Sequence, residues 1–295
     1  MRRPTASPAW PAASTPSPRP TRPTRPTCQT PRPPTSNPSG AGASFGEASA
    51  SFGEEGRRLN YGSYLALPEL LALQRTQTEA HDELLFIVVH QVYELWFKEL
   101  LHELDAARTA MQRGDAYWAV HYLHRVGAIE AVLVAQVSVL ETMRPQDFLA
   151  FRAELAPASG FQSVQFRAIE FTSGLRDPSY LERIELTAAD RAELERRLAE
   201  PSLWDAWGDL VRGRGSPTLQ EIAADRDRYG DLFEVAEALL DHDEALGLWR
   251  FRHVQMVERQ LGSKSGTGGS TGASYLRTTI DKKLFPELWA LRAAL

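Results

Sequence analysis

From Asn60 onward the apolar positions recur three and four residues apart rather than two, the spacing that lines one face of an α-helix. Between residues 80 and 112 they fall at Leu84, Leu85, Val88, Val92, Leu95, Trp96, Leu100 and Leu104, which predicts one long helix. Residues 115–142, 161–173, 187–211 and 230–260 carry the same period and predict four more. Turn-forming residues separate them, at Gly114–Asp115, Arg144–Pro145, Pro157–Gly160, Asp177–Pro178 and Gly213–Pro217. Asp115 and Thr187 stand where helix N-caps belong. No stretch alternates apolar and polar residues with β-branched enrichment, and no repeat of 20–50 residues is present. The expected fold class is all-α, a bundle of long helices.

The beginning of the chain follows another pattern. Twelve of the 19 prolines lie in the first 40 residues, and residues 1–46 hold six arginines with no acidic residue. Proline removes backbone donors and Thr, Ser and Arg bury little apolar surface, so residues 1–55 are expected to be a disordered tail and 56–295 one all-α domain. The tail lacks the apolar core of a secretory signal, and its prolines forbid the amphipathic helix of a transit peptide. Setting its +6 aside leaves 27 basic against 38 acidic residues, a body of −11. So acidic a body suits neither nucleic acid nor an anionic membrane surface. The longest uninterrupted apolar run, Leu84–Val89, is six residues, against the roughly 20 of a membrane span, so no transmembrane helix is expected. One cysteine, Cys28, excludes an internal disulfide and a Cys-built zinc or iron–sulfur site, and fits a reducing, cytoplasmic setting.

Candidate chemistry begins with the seven histidines at 81, 90, 102, 121, 124, 242 and 253. A di-iron site in a helical bundle needs two Glu-x-x-His pairs; the chain has one, Glu99 and His102. The His-Glu-x-x-His signature of zinc proteases is absent, and His121 and His124, with no acidic or Cys ligand nearby, read as surface or packing residues. His253 has Trp249, Met256, Val257 and Gln260 at −4, +3, +4 and +7 on its helical face. It is either a core histidine or the proximal ligand of a haem, since one imidazole suffices to hold haem iron against an apolar wall. Arg250 and Arg252 would then be available to haem propionates. His90, between Phe86 at −4 and Phe97 at +7, is either a packed core residue or a hydrogen-bonding group beside an aromatic ligand. Phe148 and Arg152, one turn apart after Pro145, are either a solvated charge with an apolar neighbour or a clamp that pairs a carboxylate and stacks its bearer. Residues 261–272 hold five glycines but satisfy neither the P-loop spacing nor the dinucleotide fingerprint, leaving a linker or a loop able to close over a small polar ligand.

Taken in order, four segments resemble the tryptophan 2,3-dioxygenase family, of the haem-dependent bacterial type. They are Tyr61-Gly-Ser-Tyr-Leu, the run from His81-Asp-Glu-Leu-Leu-Phe through Val89-His-Gln-Val-Tyr-Glu to Leu100, Ser159-Gly-Phe-Gln-Ser-Val-Gln-Phe-Arg, and Trp249-Arg-Phe-Arg-His through the glycine segment to Tyr275-Leu-Arg. The likeness spans residues 58–292. It implies a helical bundle enclosing a haem pocket, haem b with one group per subunit, and cleavage of the indole C2–C3 bond of L-tryptophan by O₂ to N-formyl-L-kynurenine, the first step of tryptophan degradation by the kynurenine pathway. By matched position His253 is the axial iron ligand and Ser159 lies near the haem. Phe86, Ile87, Val88, Val89 and His90 form the distal substrate wall, with His90 catalytic in hydrogen-bonding the indole N–H. Arg152 holds the substrate carboxylate, Phe148 packs beside it, and Thr267 contacts the amino-acid head group. Position 148 is Phe where some relatives carry Tyr, which removes a hydroxyl and keeps the ring. Tyr61, Tyr64 and Leu65 match a segment that reaches a neighbouring subunit's pocket within a homotetramer. A non-catalytic haem-binding sensor or carrier using the same His253 face is the alternative.

Overall fold

The computed structural model describes residues 59–262, 264 and 272–294. The tail with Cys28, and most of the glycine segment including Thr267, lie outside the described residues. Every regular element among the described residues is helical. Two single turns, α1 (Tyr61–Tyr64) and α2 (Leu67–Leu70), precede the long α3 (His81–Gln112) and α4 (Ala116–Leu140). Then come α5 (Pro145–Phe151), α6 (Val164–Ser173), α7 (Tyr180–Arg183), α8 (Ala188–Ala199) and α9 (Leu203–Gly213). The chain continues through α10 (Leu219–Ala224), the 36-residue α11 (Arg226–Leu261), α12 (Ala273–Arg277) and α13 (Pro286–Leu291). Asn60–Leu295 form one compact unit.

The helix ends follow from local chemistry. Gly114, at φ +79°, makes the turn from α3 into α4, a backbone conformation costly for any residue with a Cβ. Asp115 then caps α4 by accepting from the Trp118 backbone N–H at 3.2 Å. α3 begins at Ala80, which has no capping side chain. Glu83 in the first turn instead ties the preceding loop to the helix, accepting from the Gln77 N–H (2.6 Å), the Thr78 N–H (2.8 Å) and the Thr78 hydroxyl (2.6 Å). Those donors hold its carboxyl below the usual carboxylate range. The single helix expected over 187–211 is two: Pro201 ends α8, and Ser202 with Asp205 forms a capping box that starts α9.

The main core lies where α3, α4, α6, α9 and α11 meet. Leu100, Leu104 and Met111 of α3 pack with Val126 and Leu133 of α4 and Leu232, Val235 and Leu239 of α11, each almost fully buried. The alanines Ala107 and Ala119, both at 0% exposure, let α3 and α4 approach closely. α4 departs from the expectation drawn from uninterrupted apolar runs: by length and composition alone it could cross a membrane. In this fold its Leu123, Val126 and Leu133 belong to the main core, and Glu130 of the same face is buried with them. Polar pins tie the core together. His242 Nδ1 lies 2.8 Å from Glu130 Oε1 and Nε2 lies 2.8 Å from the Ser173 hydroxyl, joining α11, α4 and α6. Asp243 Oδ2 accepts from the Leu284 N–H, the Phe285 N–H and the Trp289 indole N–H, which fastens the C-terminal segment to α11. A second, smaller cluster of Val89, Val137, Leu140, Met143, Phe151 and Met256 fills the space between α3, α5 and the later part of α11.

Removing one member of the sealed Glu130–His242 pair leaves the other buried without its partner. Glu130→Leu should therefore cost about 3 kcal/mol or more of unfolding free energy, read as a lower denaturant midpoint with an unchanged slope. A midpoint equal to the parent's would mean that the pair contributes nothing to stability.

Candidate active site

Between the smaller cluster and the main core lies a cavity of about 270 Å³. α3 contributes Phe86, His90, Tyr93, Glu94 and Phe97, and α11 contributes Trp249, His253, Met256, Val257 and Gln260. The end of α4, α5 with the turn after it, and α6 supply the remaining walls. The sequence places these residues at helical intervals because α3 and α11 each run along the cavity for three or four turns, so that i, i+4 and i+7 positions repeat on the inner face.

His90 is held by its own helix. The Phe86 ring lies 4.0 Å from the imidazole, centroid to centroid, and the Phe86 carbonyl is 2.7 Å from Nδ1. Nδ1 therefore carries the proton it donates to that carbonyl, and Nε2 keeps its lone pair as an acceptor. Burial pushes the pKa of His90 down, against the opposing pull of the Phe86 carbonyl and the Glu94 carboxylate. Glu94 is itself fixed by Gln165, whose amide donates at 2.9 Å to Oε2 and at 2.8 Å to the Glu94 carbonyl. Phe86, Phe148 and Phe151 stand 5.5 to 5.7 Å apart, an aromatic corner joining α3 to α5. Arg152 follows directly, at the end of α5, and lines the cavity with Phe148.

His253 is different. Its ring stacks on Trp249 at 5.3 Å with the planes 4° apart, and neither ring nitrogen bonds to a described residue. Burial, and then the proximity of His90, lowers its pKa to about 4, so the imidazole is neutral at any physiological pH. Its accessible edge opens onto the cavity. Behind it Trp249 contacts Tyr93, Phe97 and Phe166, ring to ring, at 5.0 to 6.1 Å.

Of the residues singled out from sequence, the cavity gathers Phe86, His90, Phe148, Arg152, Ser159 and His253. Ser159 also caps a short turn, accepting from the Phe161 N–H at 3.3 Å. Ile87, Val88 and Val89 share the α3 segment but are not among the lining residues. Val88 is exposed, and Val89 is buried in the smaller cluster. A helix turns 100° per residue, so a run of five cannot face one way. Tyr61, Tyr64 and Leu65 are exposed, at 76%, 71% and 40%, and stay outside this chain's cavity. Arg250 also lines the cavity, and both Arg250 and Arg252 are held by carboxylate partners. Arg250 is buried against Glu170 at 2.7 Å and donates to the Lys282 carbonyl, and Arg252 pairs with Glu141 at 2.9 Å. His121 and His124 are exposed on α4, in accord with their surface reading.

Sequence reasoning missed Tyr93, Glu94, Phe166 and the Arg167–Glu170 pair among the walls. Tyr93 and Glu94 lie three and four residues after His90, and that spacing was a usable signal. Arg167 and Glu170 read as an ordinary i, i+3 surface pair until the fold buries them. The cavity's donor set fits a porphyrin iron: one neutral imidazole free of hydrogen bonds, on an aromatic and aliphatic wall, with no second metal-ligating cluster among the described residues.

Comparison with known proteins covers almost all of the body. A family model described as tryptophan 2,3-dioxygenase matches residues 45–201 and 217–295. A protein of Nocardioides sp. named tryptophan 2,3-dioxygenase is 56% identical over 261 residues, 83% of this chain and 98% of that protein. One of Anaeromyxobacter sp. (strain K) with the same name is 46% identical over 255 residues, 80% of this chain and 96% of its own length. Another, of Caulobacter vibrioides, is 41% identical over 259 residues, 80% and 98% of the two chains.

Proposed function

The chain belongs to the tryptophan 2,3-dioxygenase family, and from that premise we propose that its cavity holds one haem b per subunit on His253, with L-tryptophan bound beside it. The enzyme cleaves the indole C2–C3 bond of L-tryptophan with O₂, giving N-formyl-L-kynurenine at the head of the kynurenine pathway. The observation that carries the assignment of residues is the pairing of two neutral histidines in one apolar cavity, one with a fixed acceptor and one with no hydrogen bond to a described residue. A non-covalent haem is supported by the absence of any cysteine from the body.

When bound, the haem supplies capture and activation of O₂. The protein supplies binding, orientation and exclusion of water. His253 would hold the iron through a lone pair that burial keeps unprotonated. His90 Nε2 would accept from the indole N–H, since Nδ1 is already committed to the Phe86 carbonyl. The Phe86–Phe148–Phe151 corner gives the indole an apolar, aromatic seat. Arg152, at the end of that corner, would pair with the substrate carboxylate, and Thr267 would contact the head group. Ser159 would sit near the haem. Fixing the substrate at both ends places its reacting edge, and such positioning accounts for much of the acceleration in a two-reactant step. Tyr61, Tyr64 and Leu65 expose apolar area that α1 and α2 bury nowhere in their own chain. That supports a homotetramer in which this segment reaches a neighbour's pocket. A cytoplasmic location is part of the same reading.

The first test is an absorption spectrum of the haem-supplied, reduced protein before and after L-tryptophan is added in air. A Soret band with formylkynurenine appearing is expected, and His253→Ala should lose the band. A Soret band without product would favour a haem sensor or carrier, and no haem uptake would return His253 to core packing. His90→Ala should weaken substrate binding and slow turnover by about 10-fold each without abolishing activity, because an orienting hydrogen bond is lost and no obligatory base. A dead variant with intact haem would overturn that role. Arg152→Ala should raise KM on the order of 10- to 100-fold, the cost of leaving a carboxylate without its charged partner. An unchanged KM would put the carboxylate elsewhere.

A further inference from the structure

The candidate iron ligand and the candidate carboxylate clamp belong to different elements, and their separation has to be fixed by something. His253 is on α11. Phe148 and Arg152 follow the link between α4 and α5, residues 141–144. α5 has no side-chain cap at its start, and Pro145 with the exposed Arg144–Asp147 ion pair sets its first turn. The link is instead bonded to α11 at two points that flank His253. The Arg252 guanidinium donates to the Glu141 carboxylate at 2.9 Å, and the Gln260 side-chain amide donates to the Met143 carbonyl at 2.8 Å. Gln260 is buried, at 7% exposure, and two helical turns beyond His253 on the same face. Met143 is buried too, and packs in the smaller cluster with Phe151 and Met256.

We propose that Gln260 is a positioning residue of the reaction: its amide sets the register of the 141–152 segment against the iron-ligand helix, and so sets where Arg152 meets the substrate carboxylate. The inference rests on the reading of His253 and Arg152 given above. Gln260 also lines the cavity, but it acts here through its bond to the Met143 carbonyl and the segment that follows, not through a bond to substrate or iron. Its loss is felt most by ligands that use the clamp, because Phe86 and His90 of the indole seat are both on α3 and only Phe148 and Phe151 of that seat move with the segment. Gln260 is well suited to a clean test. Its Oε1 is buried with no hydrogen-bond partner among the described residues. Replacing it by methionine, similar in length and volume, keeps the packing and removes the unpaired buried oxygen, while the Met143 carbonyl loses its donor.

The experiment uses the full-length, haem-loaded enzyme and its Gln260→Met variant, with L-tryptophan and with tryptamine, which lacks the carboxylate. Expected in the variant are an unchanged Soret band, kcat within about twofold of the parent, and KM for L-tryptophan raised about fivefold, the worth of one hydrogen bond. Binding of tryptamine, followed by the spectral shift of the haem, should weaken clearly less than binding of L-tryptophan. Equal weakening of both ligands, or no weakening of L-tryptophan, would overturn the proposal. Glu141→Gln loosens the second tie and should move the same L-tryptophan-to-tryptamine ratio in the same direction. It keeps the idea open to refutation if Gln260→Met does not fold. A parent enzyme that takes up no haem, or makes no product, would strike the underlying functional reading and not the tie.

Discussion

An imidazole can hold iron only through a nitrogen that carries no proton, and the proposed function depends on keeping His253 in that state. Burial does it, and burial at that position is the work of one helix. The first half of α11 lies in the main core through Leu232, Val235 and Leu239, and its later turns form a wall of the cavity. Because the helix is continuous from Leu232 to His253, the packing of the first part fixes the height and rotation of the second. Buried polar contacts at His242, Asp243 and Arg250 make that register specific. Apolar packing alone tolerates small slips, whereas a buried hydrogen-bonded pair does not, since each slip leaves charged or polar atoms unpaired.

The long elements were legible in the sequence because their signal is long. A 3.6-residue period sustained over α3, α4 and α11 outweighs any single residue, and Gly114, Asp115 and Pro145 mark their ends. The failures were local. Pro201 followed by Ser202 and Asp205 is a helix stop and a capping box, a stronger signal than the apolar period that ran across it. The short turns α1, α2, α7 and α10 are too brief to show a period. The apolar character of α4 was hidden by single polar interruptions such as Glu130 and Gln136, which break an uninterrupted run without changing the mean.

The site was legible where its residues lie one turn apart and illegible where the fold makes the neighbours. Phe86 with His90 and Phe148 with Arg152 are visible as spacing. The ion pairs of Arg250 and Arg252 are invisible in the sequence because their partners, Glu170 and Glu141, are about 80 and 110 residues away. No local pattern announces a pairing of that span. The same holds for Gln260, whose acceptor is a backbone carbonyl and so leaves no side-chain signature at all. Ile87, Val88 and Val89 rest on matched position alone, and along such a run helix geometry sends neighbouring side chains to different faces.

The two cavity histidines show how far a shared pattern can mislead. Each follows an aromatic residue by four positions on a long helix, Phe86 before His90 and Trp249 before His253, and each rests against that ring. By spacing they are the same motif. They diverge in a single bond: Nδ1 of His90 meets the Phe86 carbonyl at 2.7 Å, whereas no described residue meets either nitrogen of His253. The bond spends one nitrogen of His90 and fixes the other as an acceptor of known direction, which suits recognition of an N–H group. Its absence leaves His253 free to rotate to whichever nitrogen a metal requires, with the flat face of Trp249 limiting the plane. One hydrogen bond, in helices that are otherwise alike, is what divides the proposed orienting role from the proposed ligating one.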